Sequence, residues 1–523
     1  MTRNLIDTLG HLGSCTRPRI RMGLRYAFAA FVSLAIVQGA FAAQAPQFVN
    51  PGPGPTSSSP LYVGASNGSL PKVPVVSGKM FDRVTQIWIE NTDFNVANTS
   101  STFRNLAEQG ILLEQYYALT HPSEPNYVAA IGGDFFGMAD DALYNIPANP
   151  SARKLRAMIV RCDDREMILR DPSELGASIT SWSWVMMTGL SRSVDLLEAK
   201  NISWASYQEN MPTVGYLGFN FTQPNYLNIS APPYTYYVRK HNPHVVFNSV
   251  TSIPSRLAQI RNFNDFAADV NASTIPQWNF VTPNLVNDAH DTDIDFASDW
   301  LDYWLVPLLS NPAFNDNKTL IILTFDETDT YTVNNRIYTL LLGGVIPANL
   351  RGTSDTTYYT HYSTLSTVEA NWGLGSLGRG DTNKTMSNVF EFVANVTGYR
   401  NLDVRGADIP LTNITGTIPG PLNPDLYIPF AAPNANATGA GGGPVFLGPG
   451  LNISVTPESL PKPVNLTEAR QSVPASGYGN ITGPGVPAPT GSGSTGNANG
   501  GVEVRAVVGA VLGAVIGVIA VLA

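Results

Sequence analysis

The chain has 523 residues, of which 43% are hydrophobic, 10% aromatic and 14% charged. That length allows two to four domains, and that apolar share supports a large packed core. The net charge of −9, with no basic stripe, argues against a nucleic-acid partner, and no protein partner is evident.

Residues 1–43 read as a leader and secretory signal peptide, with Met22 as the alternative start. Arg25 gives the positive end, Ala27 to Val37 the apolar stretch and Ala40-Phe41-Ala42 the small-residue cleavage site. Residues 44–79 are rich in Pro, Gly and Ser and read as a linker. A catalytic domain is expected over 80–415. It opens with VTQIWI, Val84 to Ile89, a buried strand ending in Glu90-Asn91. Thr102 to Tyr117 shows apolar residues near helical spacing behind a Ser cap and predicts a helix. Next comes YALTHPSEPNY, with Ser123 between two prolines, His121 upstream and Asn126 downstream. Two prolines within four residues argue against both a regular helix and a central strand, and for a rigid clamp around the serine.

VRKHNPH places His241 and His244 beside Arg239 and Lys240, either as an anion-attracting wall or as a solvated loop. NFVT, Asn279 to Thr282, reads as a strand running into PNLVNDAHDTD, which contains Asp288 and His290. Phe296 to Leu309 predicts a helix. LIILTF, Leu320 to Phe325, is the most apolar strand and ends in Asp326-Glu327; His361 follows in YTHYST. Strands alternating with helices predict an α/β fold with a mostly parallel central sheet covered by helices on both faces. In such sheets the ligand sits at the carboxyl ends of the strands, where the acidic clusters fall.

Glu90, Asp326 and Glu327 would repel one another without a cation, and Asn91 adds a carbonyl. They are the candidate ligands of a divalent metal ion, its identity and number open. Helix capping at strand-to-helix turns is the competing reading for each residue alone. His290 and His361 can bind metal or phosphate, or be structural. A serine held rigidly in line with phosphorus suits phosphoryl transfer, and a neighbouring cation would lower its pKa. A G-x-S-x-G, GASNG at 64–68, lies in the Pro/Gly/Ser-rich segment rather than at a strand-to-helix turn, and no P-loop is present, against acyl transfer and nucleotide-driven chemistry.

Residues 416–505 return to Pro, Gly, Asn and Ser and read as a glycosylated stalk. Residues 506–523, AVVGAVLGAVIGVIAVLA, follow small residues and a polar spacer, the pattern of a glycolipid (GPI) anchor signal with the attachment residue among Ser494, Gly496 and Asn497, the last preferred. A single membrane span is the alternative. Glycosylation sequons stand at Asn67, Asn98, Asn201, Asn220, Asn228, Asn271, Asn317, Asn383, Asn395, Asn413, Asn436, Asn452, Asn465 and Asn480. The expected location is the cell surface or wall, anchored to the plasma membrane.

IENTDF, THPSEPNYVAAIGGDFFG, ISWASYQENMP, VRKHNP, FVTPNLVNDAHDTD, ILTFDETD and THYSTLSTVEANWGLGSLGRGD occur in this order. Together they resemble the signatures of the phosphoesterase family, which includes fungal secreted acid phosphatases and is similar in fold to the alkaline phosphatase superfamily. Bacterial phospholipases C are kin. The resemblance implies that Ser123 is the phosphorylated nucleophile and that Glu90, Asn91, Asp326 and Glu327 hold metal. It implies catalytic roles for His290 and His361. Asp288, Asn126, His121 and Lys240 are the expected substrate contacts. Asp326-Glu327 is followed by Thr328-Asp329-Thr330 rather than His-Gly-Gly, which points away from phospholipase and toward acid phosphatase. The expected activity is hydrolysis of phosphate monoesters through a phosphoserine intermediate. The rivals are a phospholipase C-type phosphodiesterase and a non-enzymatic wall adhesin. The resemblance implies that NIPAN leads almost directly into VDLLEAK. Residues 150–193, carrying Cys162 between those motifs, are therefore expected to be a retained intron; a surface insertion is the alternative.

Overall fold

A computed structural model describes residues 64–148, 192–412, 416–448, 451, 453–456 and 459–465. The leader, the segment around Cys162, the apolar tail, and Asn413, Asn452, Asn480 and Asn497 lie outside the described residues. Contacts divide the chain after Ala469, and every described residue belongs to the first unit.

Ten strands are present among the described residues: β1 Arg83–Ile89, β2 Ile111–Tyr117, β3 Trp204–Gln208, β4 Asn220–Gln223, β5 Tyr234–Val238, β6 Ile260–Asn262, β7 Trp278–Thr282, β8 Thr319–Phe325, β9 Thr339–Leu342 and β10 Thr353–Thr360. Eight form one sheet in the order β10-β2-β9-β8-β1-β7-β3-β6, while β4 and β5 pair as a separate hairpin. β1 lies parallel to β7 and β8. β9 alone in the large sheet runs antiparallel to its neighbours β2 and β8. The expected α/β fold with a mostly parallel sheet is thus the observed one. β1, β3, β7, β8 and β9 are buried along nearly their whole length. Side chains alternate between faces along a strand, so this burial requires cover on both sides.

Five helices matter to the site and its support: α1 Ser101–Ala107, α2 Ser123–Gly132, α3 Phe263–Asn271, α4 Ile294–Leu309 and α5 His361–Trp372. α4 starts where Asp293 accepts a hydrogen bond from the Phe296 amide, two residues before its expected start. Its Trp300 and Trp304 stack at 4.9 Å and pack against Phe263 of α3. α1 docks on α4 through a 2.7 Å Ser100–Ser298 hydroxyl pair.

The single helix expected over 102–117 is instead α1 followed by β2. Ser100 caps α1 as anticipated, its hydroxyl accepting from the Phe103 amide. Gly110 then lets the chain turn flush against β9, where a Cβ would lie 2.2 Å from the Leu341 carbonyl oxygen. Pairing with β9 and β10 outweighs the helical spacing of Phe103, Leu106 and Leu113. The segment expected as a linker is bound to the domain from residue 64 onward. The Leu70 amide donates to Asp269, the Val76 amide to Gln277, and the Trp372 indole to the Val76 carbonyl. Likewise, residues 416–448 are not a free stalk. The Leu422 amide donates to the Phe136 carbonyl, and the Ser376 and Phe446 amides exchange bonds with Pro444 and Ser376. Proline and glycine there serve close packing: a Cβ on Gly420 would meet the Phe136 carbonyl oxygen at 2.1 Å.

Candidate active site

The carboxyl ends of β1, β2, β8 and β10 lead into the segments holding Glu90, Ser123, Asp326 and His361. Ser123 opens α2, so a regular helix does begin between the two prolines. Pro125 sits in the first turn, where a missing N–H costs no intrahelical bond. The helix ends at Gly133, left-handed at φ 70°. At the helix N-terminus the serine hydroxyl faces the positive end of the backbone dipole, favourable for an anion.

Ser123 Oγ is buried and lies 3.0 Å from Glu90 Oε2, 3.3 Å from Asn91 Oδ1 and 3.4 Å from Glu327 Oε1. One hydroxyl proton cannot satisfy three acceptors. Asp326 Oδ1 accepts from the Asn91 amide at 3.0 Å, while its Oδ2 is buried and accepts no hydrogen bond. Burial, reinforced by Asp326, pushes the Glu90 and Glu327 carboxyls well above their ordinary range; burial also raises Asp326. A hard divalent cation fits this all-oxygen donor set and would relieve the repulsion. Glu90, His241 and His290 form a second group, with donor atoms within 4.8 Å of one another. Two residues here have positive φ: Asn91 at 30° and Ala289, beside Asp288, at 77°.

The other anticipated residues divide by position. Lys240 Nζ donates to His290 Nε2 and to Asp141 Oδ2, both at 3.0 Å. Burial works against this ammonium, but Asp141 and Glu90 outweigh it and hold its pKa above the ordinary value. His290 is partly exposed, with Nδ1 2.7 Å from Asp291. His121 is buried, its Nδ1 2.6 Å from Glu327 Oε2 and its ring stacked on Tyr331. Burial depresses its pKa to about 4.

Three expectations are corrected. His361 points away from Ser123: its Nε2 donates to the Asp326 backbone carbonyl at 2.7 Å, and its ring packs on Trp88. Burial lowers its pKa to about 4, so it is a neutral support for the Asp326 backbone rather than a group on the phosphate. Asn126 does not face the substrate. Its Oδ1 accepts from the Leu119 and Thr120 amides and its Nδ2 donates to the Thr120 carbonyl, fixing the loop before the serine. Asp288 is buried beside His241, with Oδ2 3.3 Å from His241 Nδ1, and orients that ring.

His241, left between an anion wall and a solvated loop, is buried at the site, with Nε2 3.3 Å from Glu90 Oε1. His244 is buried against Trp204, and Arg239 is consumed by the Tyr144 and Val245 carbonyls. Tyr127 was missed: its hydroxyl donates to Glu90 Oε1. The signal was available, since Tyr127 stands four residues after Ser123 and shares its face once a helix is allowed there.

A buried serine at a helix N-terminus, ringed by carboxylates at the carboxyl edge of an α/β sheet, is an arrangement that suits a hydrolase. The model of the phosphoesterase family matches residues 90–375, and the chain belongs to that family. It is 43% identical to an acid phosphatase of Aspergillus fumigatus over 74% of this chain and 75% of that protein. It is 42% identical to the phosphate-repressible acid phosphatase of Penicillium chrysogenum, over 69% and 74%. It is 28% identical to a phosphatidylinositol-3-phosphatase of Mycobacterium tuberculosis, over 60% and 84%. Among solved structures, a Vibrio parahaemolyticus protein of the alkaline phosphatase superfamily aligns at 11% identity with a TM-score of 0.32, over 60% of this chain and 70% of that one.

Proposed function

We propose that this protein is an acid phosphatase that hydrolyses phosphate monoesters through a phosphoserine at Ser123. The carrying observation is the buried Ser123 hydroxyl within 3.4 Å of three oxygen ligands at the start of α2. The fungal relatives named acid phosphatases support the monoester class.

Ser123 Oγ gives its proton to Glu90 Oε2, 3.0 Å away, and attacks phosphorus; the ester P–O bond breaks and the alcohol leaves. Tyr127 and His241 steady the other Glu90 oxygen. Lys240 offers its ammonium to the phosphate oxygens, and the partly exposed Lys240–His290 pair supplies the proton taken up by the leaving oxygen. Water then attacks the phosphoserine and its proton restores the Lys240–His290 pair; the Oγ–P bond breaks, the proton held by Glu90 returns to Ser123 Oγ and inorganic phosphate leaves. A divalent cation held by Asn91, Asp326 and Glu327, beside Glu90, would lower the serine's pKa and offset charge on the phosphate.

Turnover of an aryl monophosphate, a bis-aryl phosphate and a phospholipid, before and after chelation, tests the reading. Monoester preference and loss on chelation are expected. Preference for the diester or lipid overturns the monoesterase in favour of the phospholipase C-type reading.

The cell-surface location belongs to the same proposal. Asn67, Asn98, Asn201, Asn220, Asn228, Asn271, Asn317, Asn383, Asn395 and Asn436 are all exposed, as glycan acceptors must be; Asn465 is partly buried. Release from membranes by phosphatidylinositol-specific lipase supports the GPI anchor; release by detergent alone rejects it.

A further inference from the structure

We propose that Asp141 is a positioning residue that fixes Lys240 relative to the nucleophile; this rests on the phosphatase reading of the same site. One carboxylate spans the two groups. Asp141 Oδ1 accepts from the Glu124 amide at 2.9 Å, one residue beyond Ser123, and Oδ2 accepts from Lys240 Nζ at 3.0 Å. The first turn of α2 and the active-site ammonium therefore share a single anchor.

The loop that carries Asp141 is itself fixed. Asp140, its neighbour, accepts from the Tyr144 hydroxyl and from the Ala142 amide at 3.2 Å. Arg239, adjacent to Lys240, donates to the Tyr144 carbonyl at 3.2 Å, to Asn145 Oδ1 at 3.0 Å and to the Val245 carbonyl at 2.7 Å. The Ile146 amide donates to the Val246 carbonyl at 2.7 Å. These bonds lock the 140–146 loop to the turn bearing Lys240, so the Asp141–Lys240 geometry is set before substrate arrives.

The need for the anchor follows from charge. Lys240 lies in the field of Glu90, Asp326, Glu327 and Asp288. An unrestrained ammonium on a flexible four-carbon stem would settle on those carboxylates, compete with a cation for them and cease to serve the phosphate. Asp141 holds it to one side. Its second hydrogen bond, to His290 Nε2 at 3.0 Å, then directs it along the rim of the site.

Asp141→Asn separates the two halves of the anchor, because Oδ1 still accepts from the Glu124 amide while an amide nitrogen faces Lys240. We expect kcat/KM for p-nitrophenyl phosphate to fall roughly 10–100-fold, the scale for loss of an orienting partner. The inhibition constant for inorganic phosphate should rise about tenfold, with bound-metal content and unfolding midpoint near those of the parent. Asp141→Ala, which removes both bonds, should cost more. In a Lys240→Met background, Asp141→Asn should cost under about threefold, since coupled residues fail to add. Fully multiplicative losses in the double variant, or unchanged phosphate inhibition in Asp141→Asn, overturn the proposal. Failure of the phosphatase reading is a separate result, seen as an inactive parent or an active Ser123→Ala.

Discussion

Replacing Asn126 by alanine separates a structural role from a substrate contact. The side chain is fully buried and holds the loop that delivers the serine. It accepts from two backbone amides, Leu119 at 2.9 Å and Thr120 at 3.2 Å, and donates to the Thr120 carbonyl at 2.9 Å. Truncation strands two buried backbone amides, while the Thr120 carbonyl keeps its 2.9 Å bond from Asn335 Nδ2. At about 1–3 kcal/mol for each unsatisfied group, with some relief from water entering the space, the cost is about 2–5 kcal/mol. That is a large share of the ~5–15 kcal/mol that holds a typical protein folded. Urea unfolding followed by tryptophan fluorescence measures it, with an unchanged slope identifying a true loss of stability. Asn126→Asp keeps the acceptor but sets an oxygen against the Thr120 carbonyl, and should fall between alanine and the parent. Stability of Asn126→Ala within about 1 kcal/mol of the parent, together with a raised KM, would refute the reasoning and restore Asn126 as a substrate contact.

Ser123→Ala should keep its fold and lose turnover of an aryl monophosphate by roughly three to six orders of magnitude; a near-normal rate ends the covalent mechanism. Asp326→Asn should lose bound divalent metal and activity together by elemental analysis and assay, and unchanged metal content removes Asp326 from the ligand set. Trp304→Ala should destabilise by about 3–5 kcal/mol through the cavity it leaves beside Trp300 and Phe263, with little change in the KM of the folded fraction. Burial first, and Asp381 second, raise the Glu369 carboxyl well above its ordinary 4.5, so the folded state holds the proton more tightly than the unfolded one. Its contribution is complete below that value and is lost as pH rises through the folded pKa. Unfolding midpoints at about pH 4, 6 and 8 should therefore fall less steeply in Glu369→Gln than in the parent, and parallel profiles would remove Glu369 as the cause.

The strand ends were legible because β1, β7 and β8 are short apolar runs that stop at polar clusters, and a parallel sheet gathers such ends on one edge. Ser123 was legible as a clamped serine but not as a helix start, because a proline in the first turn is tolerated and one deeper inside is not. Spacing could not divide 102–117, since Phe103, Leu106 and Leu113 suit a helix and only the approach of β9 at Gly110 decides otherwise. The histidines were the hardest to place. His241 and His361 are both buried, yet one faces Glu90 and the other holds a backbone carbonyl. Ring orientation depends on tertiary packing and leaves no mark on local sequence.

The centre of the sheet also sets a timetable. β1, the first strand made, pairs on one side with β7 and on the other with β8. Asn91 and Asp326, which bond across the site, are 235 positions apart. At about 5–20 residues per second, synthesis leaves roughly 10–50 s between them. Until β7 is made at Trp278–Thr282 RVTQIWI has neither neighbour, β8 follows only at Thr319–Phe325, and Asn98, Asn201, Asn220, Asn228, Asn271 and Asn317 emerge before the domain can close. A nascent chain stopped short of Glu327 lacks one of the carboxylates that ring Ser123, however well its first half has collapsed. Enzyme output thus tracks complete translation and the protection of one unpaired apolar strand while the rest of the sheet is being made.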